Sequence, residues 1–104
     1  MSFTGNESSS VTLTDAARWA KNFRDANGDT VIKAHFFGKN KLQGVITQTG
    51  CVGLRMYHGI DDSGAAVLII VGVDANEKDL TGGTILERSQ PCPPYCDTTS
   101  ALCQ

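Results

Sequence analysis

Apolar residues recur along this chain in two different periods, and the periods place its elements. Between Thr14 and Asn27, the residues Ala16, Trp19, Ala20 and Phe23 fall three and four apart, which is one stripe of a helix. Thr14 offers an N-cap oxygen, Asp15 suits the positive end of the helix dipole, and Asn27-Gly28 is a stop, so a helix is predicted over 15–26. Val31 to Phe37 holds Val, Ile and two Phe and reads as extended. Leu42, Val45 and Ile46 mark a second helix over 39–48, weakened by Gly44 and ended by Gly50.

The period then changes to two. Val52, Leu54, Met56 and His58 alternate with Gly53, Arg55, Tyr57 and Gly59; Asp61 to Gly64 is a turn; Ala65 to Val73 returns as a nearly continuous apolar strand. Pairing Ile60 with Ala65 sets Leu54 opposite Val71, Met56 opposite Ile69 and His58 opposite Val67, with Arg55 and Tyr57 on the other face beside Leu68 and Ile70. A strand apolar on both faces belongs in the middle of its sheet. Thr84 to Arg88 supplies a last strand. The expected class is α+β: two helices packed on one face of a three- or four-stranded, mainly antiparallel sheet, with Trp19 and Phe23 against the hairpin face that carries Leu54, Met56, Ile69 and Val71.

The chain has 104 residues, enough for one core without staples. Residues 1–10 are polar and Ser-rich and read as a disordered lead-in, 11–96 as a single α+β domain, and 97–104 as a mobile tail. Gln90 to Cys96 is expected to dock, because its prolines lower the entropy lost on fixing it and Tyr95 brings a large apolar body. Nine basic and eleven acidic residues leave a net charge of −2, and Lys33, Lys39 and Lys41 form no phosphate track, so nucleic acid is not an expected partner. The longest apolar run, Ala65 to Val73, is about half of a membrane span, and no basic-then-apolar leader opens the chain; a cytoplasmic protein without membrane contact is expected.

Chemistry concentrates in four cysteines: Cys51, Cys92, Cys96 and Cys103. Zinc takes four thiolate or imidazole ligands in a tetrahedron, so Cys51, Cys92 and Cys96 are candidate metal ligands, with Cys103, His35 or His58 as the fourth. The Cys92–Cys96 spacer is Pro93-Pro94-Tyr95, and a polyproline stretch would hold the two Cα atoms roughly 12 Å apart at about 3.1 Å per residue. A disulfide needs about 4.4–6.8 Å. The pair therefore meets only through a turn, for which a cis bond at Cys92-Pro93 or Pro93-Pro94 is the available device. The alternative is a Cys51 buried as a small hydrophobe and tail thiols that are free. His58 is expected to be partly buried and hydrogen-bonded rather than a base for Cys51.

Four stretches resemble a family of small bacterial proteins without an assigned function. They are His35-Phe36-Phe37-Gly38, Gly50-Cys51-Val52-Gly53-Leu54-Arg55, Val71-Gly72-Val73-Asp74-Ala75-Asn76 and Pro91-Cys92-Pro93-Pro94-Tyr95-Cys96. The resemblance implies a stand-alone cytoplasmic domain and transfers no site residue. Gly50-Cys51-Val52-Gly53 with a C-terminal cysteine pair also resembles A-type iron–sulfur carriers, although their tight Cys-Gly-Cys is replaced here by Cys92-Pro93-Pro94-Tyr95-Cys96. Asp25 to Asp29 resembles the start of a calcium loop, but Thr30 stands at its glycine position and Phe36 at its bidentate Glu position.

Phosphate loops, Ser-centred elbows and His-Glu-x-x-His are absent, so no catalytic residue is assigned. Two functions stay open. One is a non-enzymatic interaction or ligand-binding module, built on Arg55, Tyr57 and Tyr95 where the tail meets the start of the hairpin, with surplus aromatics that also suit a homodimer and no resident cofactor. The other is a metal- or thiol-dependent redox protein using the C-terminal cysteines, with zinc or iron–sulfur as its cofactor.

Overall fold

In the computed structural model, which describes residues 2–28 and 30–103, helix α1 spans Leu13–Asn27. It starts earlier than its apolar stripe suggests, because Thr12 rather than Thr14 is the N-cap: the Thr12 hydroxyl accepts the Asp15 N–H at 3.1 Å. Asp15 pairs with Arg18 at 2.9 Å and Lys21 with Asp25 at 2.7 Å along its exposed side. Gly28, at φ 83°, donates its N–H to the Arg24 carbonyl and ends the helix at the expected Asn27-Gly28 stop. Asp29, the fifth residue of the calcium-like stretch, lies outside the described residues.

The α+β class is as the patterning predicts, with two helices and antiparallel strands, and the strands divide over two sheets. Strand β1 is Ala34–Phe36, α2 is Lys39–Ile46, β2 is Cys51–Ile60, β3 is Ala66–Asp74, β4 is Ile85–Leu86 and β5 is Gln90–Cys92. One sheet has the order β2-β3-β4 and the other pairs β1 with β5. The chain forms two compact units, Met1–Glu7 with Phe37–Ser89, and Ser8–Phe36 with Gln90–Gln104.

In the first unit β3 is the central strand, as its two-sided apolar run requires, and α2 packs on β2 and β3. Val45, Ile70, Val71 and Val73 are its buried apolar side chains among the described residues. The hairpin register differs by one residue from the expected pairing: Ile60 faces Ala66, Met56 faces Ile70 and Leu54 faces Gly72. The turn chemistry decides this. Asp61 Oδ1 accepts the N–H groups of Ser63 and Ala65 and the Ser63 hydroxyl, while the Asp61 N–H bonds the Ala65 carbonyl. Ala65 is thereby drawn into the loop. A slip of one residue flips the faces of a strand, so Arg55 and Tyr57 lie beside Val71 and Ile69. A bulge at Val52 resets the pairing near Cys51. His58 is exposed rather than partly buried.

Gly72 marks a close approach within this unit. A Cβ there would stand 2.9 Å from Gln48 Nε2 and 3.0 Å from Cys51 Sγ. The Gln48 amide uses that space to link the end of α2 to the residue just before β4, donating to the Val45 carbonyl at 2.8 Å and accepting the Thr84 N–H at 3.0 Å.

In the second unit β1 and β5 run antiparallel, with Ala34 opposite Cys92, His35 opposite Pro91 and Phe36 opposite Gln90. The stretch Gln90 to Cys92 thus docks through a backbone ladder. Arg24 is the buried side chain of α1, whereas Trp19 is 55% exposed and Phe23 46% exposed. Both aromatics of the helical stripe are thus exposed residues and no part of the buried core. We predict that Ile70→Ala lowers unfolding free energy in urea by about 2–5 kcal/mol, as for other buried Ile truncations. Trp19→Ala should change it by less than about 1 kcal/mol, as at other exposed positions. The reverse ranking would place the core elsewhere.

Candidate functional site

The second unit gathers three sulfurs. Cys92 ends β5, is 5% exposed, pairs with Ala34, and its carbonyl accepts the Lys33 N–H at 2.8 Å, so the ladder along β1 holds it. The next two peptide bonds, Cys92-Pro93 and Pro93-Pro94, are both cis. The Tyr95 N–H reaches back to the Pro91 carbonyl at 2.9 Å, and the Cα atoms of Cys92 and Cys96 are 4.8 Å apart and joined by a disulfide. The extended polyproline alternative is not adopted.

The chain then folds into successive turns. Asp97 Oδ1 accepts both the N–H and the hydroxyl of Thr99, at 3.1 and 2.7 Å. Ser100 Oγ accepts the Leu102 N–H, and the Cys103 N–H bonds the Ser100 carbonyl. Arg24 Nη1 donates to the Leu102 carbonyl at 2.8 Å, tying this last segment to α1. The result sets Cys103 Sγ 3.9 Å from Cys92 Sγ.

All three sulfurs lie within 4.8 Å of one another. They border an open cavity of about 180 Å³ whose wall also includes Lys33, Tyr95, Asp97 and Leu102. No family model, curated protein or solved structure matches the chain.

Of the residues singled out as ligands, Cys92 and Cys96 belong to this cluster and Cys51 does not. Cys51 lies in the first unit, half-buried, with its thiol donating to the Gly53 carbonyl at 3.2 Å. Cys103 takes the third place. Three sulfurs are one fewer than the thiolates that hold an iron–sulfur cluster, and two of the three are bonded to each other. Tyr95, expected at an interaction surface, is 65% exposed and lines the cavity beside the cysteines. Neither Arg24 nor Lys33 carries a motif that would place it here.

Arg55 and Tyr57 form a second cluster, in the first unit. They alternate on the same face of β2, and both reach Asp79: Arg55 Nη1 to Oδ1 at 2.6 Å and the Tyr57 hydroxyl to Oδ2 at 2.5 Å. The Phe3 ring lies 5.8 Å from the guanidinium, a cation–π distance, and the Phe3 N–H bonds the Ala75 carbonyl. The lead-in thus carries a residue of this cluster. Asp79 is the partner that sequence reading passed over, for it is 22 residues from Tyr57 and lies outside any named strand.

The Tyr57 hydroxyl first, and then Arg55, hold the Asp79 carboxyl below the usual carboxylate range. A depressed folded-state pKa stabilises the fold above the unfolded value of about 3.9, and that stabilisation is lost as pH falls through the folded value. We predict that Asp79→Asn removes part of the acid-side decline. Melting temperature measured from pH 6 down to about pH 2 should fall less steeply in the variant than in the parent, within the range where carboxylates titrate. Parallel curves would show that the cluster does not form in solution.

Proposed function

We propose that the chain is a small thiol–disulfide exchange protein working through Cys92, Cys96 and Cys103. The observation that carries this reading is a third cysteine held 3.9 Å from one sulfur of an existing disulfide at the edge of an open cavity. Exchange needs an attacking thiolate, access to a disulfide sulfur and a leaving thiolate. A thiol of a small molecule or a protein attacks one sulfur of the Cys92–Cys96 bond and forms a mixed disulfide. The other cysteine leaves as a thiolate and takes up a proton. A second external thiol then releases the first, so that one protein disulfide and two thiols become one protein dithiol and one external disulfide.

Cys103 adds an internal branch. Its thiolate can attack Cys92 Sγ, forming Cys92–Cys103 and releasing the Cys96 thiolate, with no change in overall oxidation state. In the cytoplasmic setting expected from the sequence, a disulfide is typically transient, either catalytic or redox-sensing. The interaction-module reading is supported less well, because Asp79 already engages Arg55 Nη1 and the Tyr57 hydroxyl.

The test is equilibration in glutathione buffers of graded redox ratio, followed by alkylation and intact-mass measurement. Two alkylated cysteines are expected at the oxidising end, Cys51 and Cys103, and four at the reducing end. The transition should be that of a two-electron couple, tenfold per about 30 mV. Cys96→Ser should move the disulfide to Cys92–Cys103. Four alkylated cysteines at every ratio would overturn the reading.

A further inference from the structure

We infer that the reduced chain binds one monovalent soft metal ion, Cu(I), through the thiolates of Cys92, Cys96 and Cys103. This rests on the redox reading above, since the Cys92–Cys96 bond must first be reduced. The three sulfurs come from one short stretch of chain and already lie within 4.8 Å of one another, so little rearrangement separates the reduced pair plus Cys103 from a common metal.

The donor set selects the ion. Soft thiolates favour Cu(I), zinc and iron–sulfur clusters over hard cations. Structural zinc sites are almost always four-coordinate. Among the described residues no carboxylate or imidazole joins the three sulfurs in their cluster, and Asp97, which lines the cavity, has its Oδ1 accepting two hydrogen bonds from Thr99. Three sulfurs, joined by no fourth such ligand among the described residues, suit a three-coordinate d10 ion.

Charge and shape agree. Three thiolates around Cu(I) leave a net charge of −2, and Lys33, a cationic residue, borders the same cavity with its backbone N–H bonded to the Cys92 carbonyl. Leu102 and Ala34 supply apolar wall. The Arg24 bond to the Leu102 carbonyl keeps the neighbouring Cys103 in reach of the other two sulfurs. Binding and disulfide formation use the same sulfur atoms and exclude one another, so a bound ion would hold the pair reduced.

The experiment is an anaerobic titration of the full chain with Cu(I) against a chromophoric Cu(I) chelator, run after thiol counting. With four thiols counted, one Cu(I) per chain is expected, and the oxidised chain should bind far more weakly. Cys103→Ser and Cys96→Ser should each weaken binding by about 100-fold, at least the upper end of what losing a supporting group costs a metal site. Cys51→Ser should leave it unchanged. Circular dichroism checks that each variant is folded, and Cys103→Ser, which alters a partly exposed residue outside the disulfide, keeps the test valid should Cys96→Ser unfold. Four thiols with no stoichiometric copper would overturn this inference and leave the exchange chemistry standing. Equal affinity in Cys103→Ser would also overturn it. A chain that cannot be reduced to four thiols would overturn both readings, because the ligands would never become available.

Discussion

The short ladder between β1 and β5 fixes the position of Cys92, and the geometry of the thiol cluster is set from that sulfur. Three residue pairs and the Lys33 N–H to Cys92 carbonyl bond hold the strand end. A two-stranded ribbon is marginal by itself, so the disulfide to Cys96 and the Arg24 bond to the Leu102 carbonyl act as added constraints on the same short segment. Without the ladder, Cys96 and Cys103 would have no fixed sulfur to approach.

Arg24 has an unusual part in this arrangement. It is a charged side chain at 8% exposure on a helix whose large apolar residues face outward. Burying a guanidinium carries a large desolvation penalty unless its donors are satisfied. One donor is used on a carbonyl next to Cys103, which ties the last turn of α1 to the segment that carries this cysteine. The basic residue near the C-terminal end of the helix also complements the helix dipole, so one side chain serves both the helix and the tail.

The first unit is organised differently. Its stability rests on β3, where Ile70, Val71 and Val73 are buried and a glycine between them admits the Gln48 side chain. The Arg55–Tyr57–Asp79 cluster closes over one face of that sheet with both Asp79 oxygens accepting hydrogen bonds. Such a charge-assisted set is directional and strengthens local order; its polar groups are turned to one another.

The amino-acid sequence by itself determined what depends on neighbours along the chain. The helix stop at Asn27-Gly28, the alternation of β2 and the central place of β3 follow from local propensity and hydrophobic period. So does the docking of Gln90 to Cys92, as far as prolines and an adjacent aromatic can promote it. The hairpin register was legible to within one residue; the Asp61 side chain drew Ala65 into the loop and shifted the pairing. Tertiary structure alone decided the site. Cys51 read as the third ligand and Cys103 as one of three choices for the fourth, because spacing says nothing about which sulfur a fold returns to its neighbours. The choice rests on a ladder joining residues 34 and 92 and on a hydrogen bond across 78 residues from Arg24 to Leu102. Asp79 was hidden for the same reason: a carboxylate in a loop has no local mark of the arginine and tyrosine that the hairpin presents to it. Local patterns encode elements, whereas the meeting of side chains distant in sequence is fixed by the free energy of the whole packed chain.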